Sequence, residues 1–183
     1  MLGENMKQLI DAGISGINIE DSAHDDSKMI AINAQCEKII SIRNTALKMG
    51  VPLFINARTD VYLKANNLSA EEKLAETIRR GNAYKDAGTD GFYPVFLKEK
   101  GAMKNIVQEV GLPANILLLP GIPDFKTLKM IGIARVSLGP GFLKTAINAM
   151  KNIAEKLLHY EGMQEVSDNP ITTACLVKLV SDN

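Results

Sequence analysis

The chain has 183 residues, 46% of them hydrophobic, which is typical of one folded domain with a sizeable core. Lysine plus arginine equal aspartate plus glutamate at 21 each, and this balance gives no basic surface for a nucleic acid. The sequence has no signal peptide pattern, no apolar run of membrane-spanning length and no metal-type cysteine spacing. We therefore expect a reduced cytoplasmic protein that binds neither nucleic acid nor membrane.

Helical periodicity predicts that the chain opens with a helix, which ends at Gly13. A short buried strand follows over residues 16–19 and leads directly to two carboxylates, Glu20 and Asp21. The polar loop after them contains His24 and Lys28 and could close over a site at this strand end. A lone histidine without a partner is more simply a solvated loop residue, and we favour that interpretation for His24.

The second helix is predicted to have Ser27 as its cap, to carry Met29 on its apolar face and to end near Gly50. A second buried strand over 52–57 is followed by Arg58 and Asp60.

Ser69 and Glu72 have the spacing of a capping box and predict a further helix that stops at Gly88. The remaining elements alternate between strand and helix, and we predict strands over 90–96, 115–119 and 134–138 and helices over 99–109, 125–130 and 142–158. Five strands, each followed by a helix, indicate a parallel sheet with right-handed crossovers. The tail over 164–183 breaks at Pro170 and is predicted to be helical with an apolar stripe.

The carboxyl ends of parallel strands meet at one rim of the sheet, where α/β proteins build their sites. We therefore expect Glu20 and Arg58 to lie side by side there. A guanidinium forks onto a carboxylate or phosphonate through two hydrogen bonds, which suggests a site for an anionic substrate and a metal. The alternative is that Arg58 forms a salt bridge with Glu20, Asp21 or Asp60, and the two interpretations are compatible.

Five segments have the order and spacing of a known family: GINIEDS, FINARTDVYL, AYKDAGTDGFYPV, LLLPGIPD and ARVSLGPG. From residue 1 to about residue 158 the chain resembles the isocitrate lyase/phosphoenolpyruvate mutase superfamily. The resemblance implies a modified (β/α)8 barrel that binds Mg²⁺. It also implies an enzyme that makes or breaks C–C or P–C bonds next to the carboxylate of a small 2-oxo or enolate-forming acid.

Residue by residue, the resemblance implies that Glu20 helps to hold Mg²⁺, commonly through water. It assigns substrate binding to Arg58 and Asn56, with Arg58 also the candidate catalytic residue. The terminal helix of this family is exchanged between subunits, so the resemblance implies a homo-oligomer. We accordingly predict a partial TIM-type (β/α) barrel of five parallel strands with helices over residues 1–160, and a C-terminal helical tail over 161–183.

The chain also departs from the family pattern. It begins just before the family's fourth strand and lacks the first three, which carry the principal Mg²⁺-binding aspartates. Its loop after Asp21 lacks the Lys-x-Cys-Gly-His segment of the lyases, and the strand at Phe92 offers neither of the family's glutamate and histidine. We expect neither isocitrate nor methylisocitrate cleavage.

These observations predict the carboxyl-terminal part of a Mg²⁺-dependent lyase or mutase, truncated or split relative to the family. The competing hypothesis is a catalytically inactive remnant that only assembles with copies of itself or with a missing amino-terminal piece. A complete flavodoxin-like domain would need a phosphate loop after the first strand, and residues 22–27 contain no glycine.

Overall fold

The computed structural model describes residues 2–23 and 28–181. Within these residues strands and helices alternate as the sequence predicts. The strands are β1 (Gly16–Glu20), β2 (Phe54–Thr59), β3 (Gly91–Pro94), β4 (Ala114–Leu117) and β5 (Ile133–Ser137). The helices are α1 (Leu2–Asp11), α2 (Ile32–Lys48), α3 (Val61–Lys64), α4 (Ala70–Asp86), α5 (Lys100–Val110), α6 (Phe125–Ile131), α7 (Gly141–Leu158), α8 (Met163–Ser167) and α9 (Thr173–Ser181).

The five strands form one parallel sheet in the order β1-β2-β3-β4-β5. Among the described strands β1 and β5 each pair with a single neighbour, so the sheet stays open. The predicted partial (β/α) barrel of five parallel strands is confirmed. Strand register places Glu20 opposite Arg58, and Arg58 opposite Tyr93.

The chain divides into two compact units, Met1–Ser137 and Leu138–Asn183. The first unit holds two clusters of buried apolar side chains. One includes Ile39, Tyr84, Phe92, Met103 and Ile116. The other joins α1 and α2 to the starts of β1 and β2 through residues that include Met6, Ile42 and Ile55. The helices therefore cover one face of the sheet.

The second unit consists of α7, α8 and α9, and no residue of these helices is buried. An ion pair between Lys156 and Glu165 joins α7 to α8. The domain boundary predicted at residue 160 stays a prediction. Among the described helices, none combines the length and the apolarity needed to cross a membrane.

Helix α4 begins as predicted. The Ser69 hydroxyl accepts a hydrogen bond from the Glu72 amide at 3.2 Å, and the Glu72 carboxylate accepts one from the Ser69 amide at 2.7 Å. Both bonds satisfy amides that the first helical turn leaves without partners. The capping box at the start of α4 is confirmed.

Some predicted boundaries need correction. Met29 does not belong to the second helix, because it forms an antiparallel bridge with Ser22, and α2 begins at Ile32 with Ala31 in the N-cap position. The predicted cap, Ser27, lies outside the described residues. Strand β2 begins two residues later than predicted, which agrees with Pro52 having no amide hydrogen to donate to a neighbouring strand. It also extends further than predicted and includes Arg58.

The strand predicted over 90–96 is shorter than expected. β3 ends at Pro94, and Phe96 has a φ of 65°, which is incompatible with an extended strand. The four-residue helix α3 was not predicted, because one turn is too short to show a periodic pattern.

Candidate active site

The two faces of the sheet differ in polarity because side chains alternate along each strand. Ile19, Ala57 and Phe92 pack against the helices. The residues that alternate with these along each strand point to the other face of the sheet. On that face Asn56 donates a hydrogen bond to Asn18 at 2.7 Å. The face that the helices leave uncovered is therefore polar.

Glu20 and Arg58 lie together at the carboxyl-terminal rim of this polar face. Arg58 Nη1 is 2.9 Å from Glu20 Oε2, and Arg58 Nε donates to Asp60 Oδ1 at 2.7 Å. The prediction that Glu20 and Arg58 lie side by side is confirmed. The alternative prediction of a salt bridge is confirmed as well, with Glu20 and Asp60 as the partners of Arg58 and not Asp21.

The two acidic partners of Arg58 differ in solvent exposure and in the number of hydrogen bonds that hold them. The side chain of Glu20 is 27% exposed, whereas that of Asp60 is 1% exposed and also accepts a hydrogen bond from the Ser22 hydroxyl at 2.5 Å. Burial lowers the pKa of Arg58, but the hydrogen bond that Arg58 donates to Asp60 and the charges of Asp60 and Glu20 outweigh it and raise that pKa above its usual value. Arg58 is thus a permanent cation with one fixed and one displaceable partner.

A cavity of about 470 Å³ opens beside this ion pair. Glu20, Arg58, Ile30, Lys38 and Tyr93 contribute to its lining. Among the described lining residues, Arg58 and Lys38 are cations and Glu20 is a carboxylate, so the cavity presents two positively charged groups that could pair with an anion.

Tyr93 and Lys38 were missed by the sequence analysis. Tyr93 shares the strand register of Arg58, and burial raises the pKa of its phenol, while the nearby charge of Arg58 acts in the opposite direction. Its closeness to Arg58 depends on the register between β2 and β3, which no pattern in the sequence states. Lys38 lies two turns into α2, and nothing in its spacing marks it.

Asp21 is separated from Glu20 although the two are adjacent in sequence. It is completely buried, and its carboxylate accepts hydrogen bonds from the Asp60 amide at 2.9 Å, from Arg80 at 3.0 Å and from the Tyr84 hydroxyl at 2.7 Å. Every one of these donors belongs to the protein, so Asp21 is a structural carboxylate.

Asn56 is 3% exposed and lies two residues before Arg58 in β2, on the same face of the sheet. It lines a second hollow, of about 350 Å³, with Asn18 and Arg135, and does not line the cavity beside Arg58. Its predicted contact with substrate therefore stays a prediction. His24 lies outside the described residues, and Lys28 is exposed.

The described residues do not by themselves form a Mg²⁺ site. No group of three or more histidine, cysteine, aspartate or glutamate side chains that could hold a metal occurs among them. Asp21 and Asp60 are occupied by protein donors, which leaves Glu20 as a single carboxylate already engaged with Arg58. Mg²⁺ requires near-octahedral oxygen coordination, usually from one or two carboxylates with water and substrate.

Comparison with known proteins gives a consistent picture. A family model described as phosphoenolpyruvate phosphomutase matches residues 1–158. The chain is 30% identical over 178 residues to 2-methylisocitrate lyase of Escherichia coli (strain K12), which covers 90% of this chain and 56% of that protein. The chain thus spans about half the length of the curated relatives that it matches.

Solved structures show the same likeness. A proposed phosphonomutase from Burkholderia cenocepacia J2315 superposes with a TM-score of 0.79 at 30% identity, over 84% of this chain and 62% of that chain. A 2,3-dimethylmalate lyase superposes with a TM-score of 0.79 at 20% identity, over 98% of this chain and 62% of that chain, and this likeness concerns the fold alone.

Proposed function

The chain belongs to the phosphoenolpyruvate phosphomutase family, and from this premise we propose that it acts on a small 2-oxo or enolate-forming acid, making or breaking a C–C or P–C bond next to a carboxylate. Arg58 anchors the carboxylate or phosphonate of that substrate. The observation that carries the proposal is the position of Arg58 in the lining of a cavity at the strand ends, where its two acidic partners differ in exposure.

Anchoring by Arg58 follows from that difference in exposure. Asp60 holds Nε from within the protein and keeps the plane of the guanidinium fixed. Glu20 is the more exposed partner, so an incoming carboxylate can compete for Nη1 by displacing it. The substrate then gains a charge-assisted fork from a cation already oriented, which reduces the entropic cost of binding. Lys38 adds a second positive charge to the lining.

The family resemblance also predicts Mg²⁺ as cofactor, with Glu20 as one oxygen donor. The described donor set does not fit such a site alone, so we assign no step of the reaction to the metal. Mg²⁺ is therefore a variable of the experiment below, and its further ligands would have to come from substrate, water or groups beyond the described residues.

A non-catalytic role is the second candidate. The chain spans 56% of the length of its curated relatives, and the helices of the second unit expose many large apolar side chains. Among the described strands, β1 pairs with β2 alone and so offers an open edge. Unpaired strand edges and apolar patches are typical of surfaces that assemble with other chains. In this reading the chain associates with copies of itself or with another polypeptide and does not turn over a substrate.

The two roles are separated by assaying the purified chain against phosphonopyruvate, oxaloacetate and 2,3-dimethylmalate, with Mg²⁺ and with EDTA, by ¹H and ³¹P NMR. We expect Mg²⁺-dependent turnover of at least one acid. Arg58→Lys should lower kcat/KM roughly 10- to 100-fold, because lysine cannot reproduce the fork.

The matched control is Arg79→Lys, since Arg79 is 66% exposed on α4 and far in sequence from the strand ends. It should leave kcat/KM unchanged. A folded chain that turns over none of the acids and binds none of them in calorimetry would contradict the catalytic proposal and favour the assembly role.

A further inference from the structure

A second polar cluster lies on the helix side of the sheet, behind the rim that carries Arg58. Arg80 and Tyr84 are one turn apart on α4, and both donate to Asp21 Oδ2, at 3.0 Å and 2.7 Å. Arg80 Nε also donates to Glu76 at 2.8 Å. The side chain of Arg80 is 8% exposed and that of Asp21 is fully buried, so water does not compete for these bonds.

The cluster connects to Arg58 through two residues, Asp21 and Asp60. Asp21 Oδ1 accepts from the backbone amide of Asp60 at 2.9 Å. The carboxylate of Asp60 in turn accepts from Ser22 with one oxygen and from Arg58 Nε with the other. Asp21 therefore holds the backbone of Asp60, and this backbone sets the position from which the Asp60 carboxylate reaches Ser22 and Arg58.

Arg80 reaches the cavity by another route as well. Its Nη1 donates to the carbonyl of Ile30 at 3.0 Å, and the amide of Ile30 donates to the carbonyl of Asp21 at 2.7 Å. Ile30 lines the cavity beside Arg58. The guanidinium of Arg80 therefore holds both Asp21 and a backbone segment that lines the cavity.

Packing alone does not account for a charged pair at this place. A buried ion pair contributes little net stability compared with apolar side chains of similar volume, because desolvation offsets the attraction. Apolar residues could hold α4 to the sheet equally well. The Arg80–Asp21 pair fixes the orientation of the Asp21 carboxylate, which an apolar contact could not do.

We propose that Arg80 and Tyr84 are positioning residues, which hold the guanidinium of Arg58 toward the cavity through Asp21 and Asp60. Neither Arg80 nor Tyr84 lines that cavity, and both act on Arg58 only through Asp21 and Asp60. The inference rests on the proposed function in that Arg58 is taken as the anchor for an anion, and it extends that function to α4.

The test uses the 183-residue chain with Tyr84→Phe and Arg80→Lys. Tyr84→Phe keeps the ring, which packs edge to face on Phe92 with centroids 6.5 Å apart, and removes only the hydroxyl. The first readout is hydrogen exchange of the Arg58 Nε–H group in ¹H–¹⁵N NMR, assigned by its disappearance in Arg58→Lys. We expect exchange to accelerate roughly fivefold or more in both variants, because the acceptor of this proton loses its fixed orientation.

The second readout is the Kd of oxalate, used as a small dicarboxylate probe, measured by calorimetry. We expect roughly a fivefold weakening in both variants, as for one displaced hydrogen bond. Arg79→Lys is the matched control, because Arg79 precedes Arg80 on α4 and also contacts Glu76, yet it should change neither readout.

The two readouts separate the inference from the function that it rests on. Unchanged Arg58 Nε–H exchange in folded Tyr84→Phe and Arg80→Lys would overturn the positioning role, whatever their stability. Accelerated exchange in a chain whose wild type does not bind oxalate would uphold the positioning role and count against Arg58 as the anion anchor.

Discussion

Glu20 and Asp21 are consecutive acids with opposite environments. Glu20 ends β1 on the polar face of the sheet and keeps a quarter of its side chain exposed, whereas Asp21 turns toward α4 and is fully buried. Asp21 neutralises the buried guanidinium of Arg80, and Glu20 shares Arg58 with Asp60. Charge removal should therefore have different consequences at the two positions.

Asp21→Asn should lower the free energy of unfolding by about 3 kcal/mol, because it removes the fully buried counter-ion of Arg80 and leaves only Glu76, whose side chain is partly solvated. Glu20→Gln should change the free energy of unfolding by less than about 1 kcal/mol, since the Glu20–Arg58 pair is partly solvated and Arg58 retains Asp60. Urea denaturation followed by circular dichroism measures both. Equal losses in the two variants would show that Asp21 is not the structural acid of the pair.

The sequence allows Glu20 and Arg58 to be placed together, because both occupy the carboxyl end of neighbouring parallel strands. It does not reveal the partners of Asp21, because Arg80 and Tyr84 are 59 and 63 residues away in the chain. Tyr93 escaped notice for a related reason: its closeness to Arg58 depends on strand register, which a hydrophobic pattern does not state.

Helix α4 is the element that joins the core to the site. Its start is fixed by the Ser69–Glu72 capping box, and its buried face carries Arg80 and Tyr84. Between these two lies Gly81, where an added Cβ would come within 2.7 Å of Val110 Cγ2 and 3.0 Å of Phe92 Cε1. The glycine therefore permits the close approach of α4 to α5 and β3.

Gly81→Ala should lower the free energy of unfolding by about 1–2 kcal/mol, because the cost of overpacking exceeds the gain in helix propensity. Gly101→Ala is the matched comparison, since Gly101 is also helical but has open space around its would-be Cβ. That variant should raise the free energy of unfolding by up to about 1 kcal/mol. Thermal and urea denaturation check both signs, and stabilisation by Gly81→Ala would refute the close approach.

Elements were predictable where a local pattern determines them. The capping box gave the start of α4, and the apolar periodicity gave α2 and α7. Boundaries were missed where tertiary contacts decide. Met29 has the spacing of a helical residue, but its bridge to Ser22 keeps it outside α2. The shortness of β3 depends on Pro94 and on the left-handed conformation of Phe96, which apolar composition does not show.

At the scale of the molecule, the alternation of five strands with helices was enough to predict a parallel, partly barrel-like sheet, because crossover rules leave few other arrangements. The polarity of the uncovered face was not predicted as such. The interior of a closed eight-stranded barrel is usually filled with branched apolar side chains. The uncovered face of this sheet instead carries the amide side chains of Asn18, Asn56 and Asn115. The Nδ2 atom of Asn115 is buried and has no hydrogen-bond partner among the described residues, which agrees with a face that meets polar groups.

The association of copies of this chain remains a prediction, and α7 indicates how to test it. Leu143, Ile147, Met150 and Leu157 recur at helical spacing along one stripe of α7, and all four are between 47% and 63% exposed. The polar residues Thr145 and Asn152 occupy the opposite side of the same helix, and both are exposed. A stripe of this kind is typical of a helix that packs against a partner.

We expect the wild-type chain to be larger than a monomer in size-exclusion chromatography with light scattering, and Met150→Glu to shift it toward the monomer mass. A buried glutamate without a counter-ion opposes packing of the stripe, whereas Asn152→Glu makes the same change of charge on the opposite side of α7 and should leave the mass unchanged. The comparison of these two variants separates apolar packing from net charge, since only apolar packing depends on the helix face. A wild type of monomer mass over the full concentration range would contradict the prediction, and equal shifts in both variants would exclude the stripe as its cause.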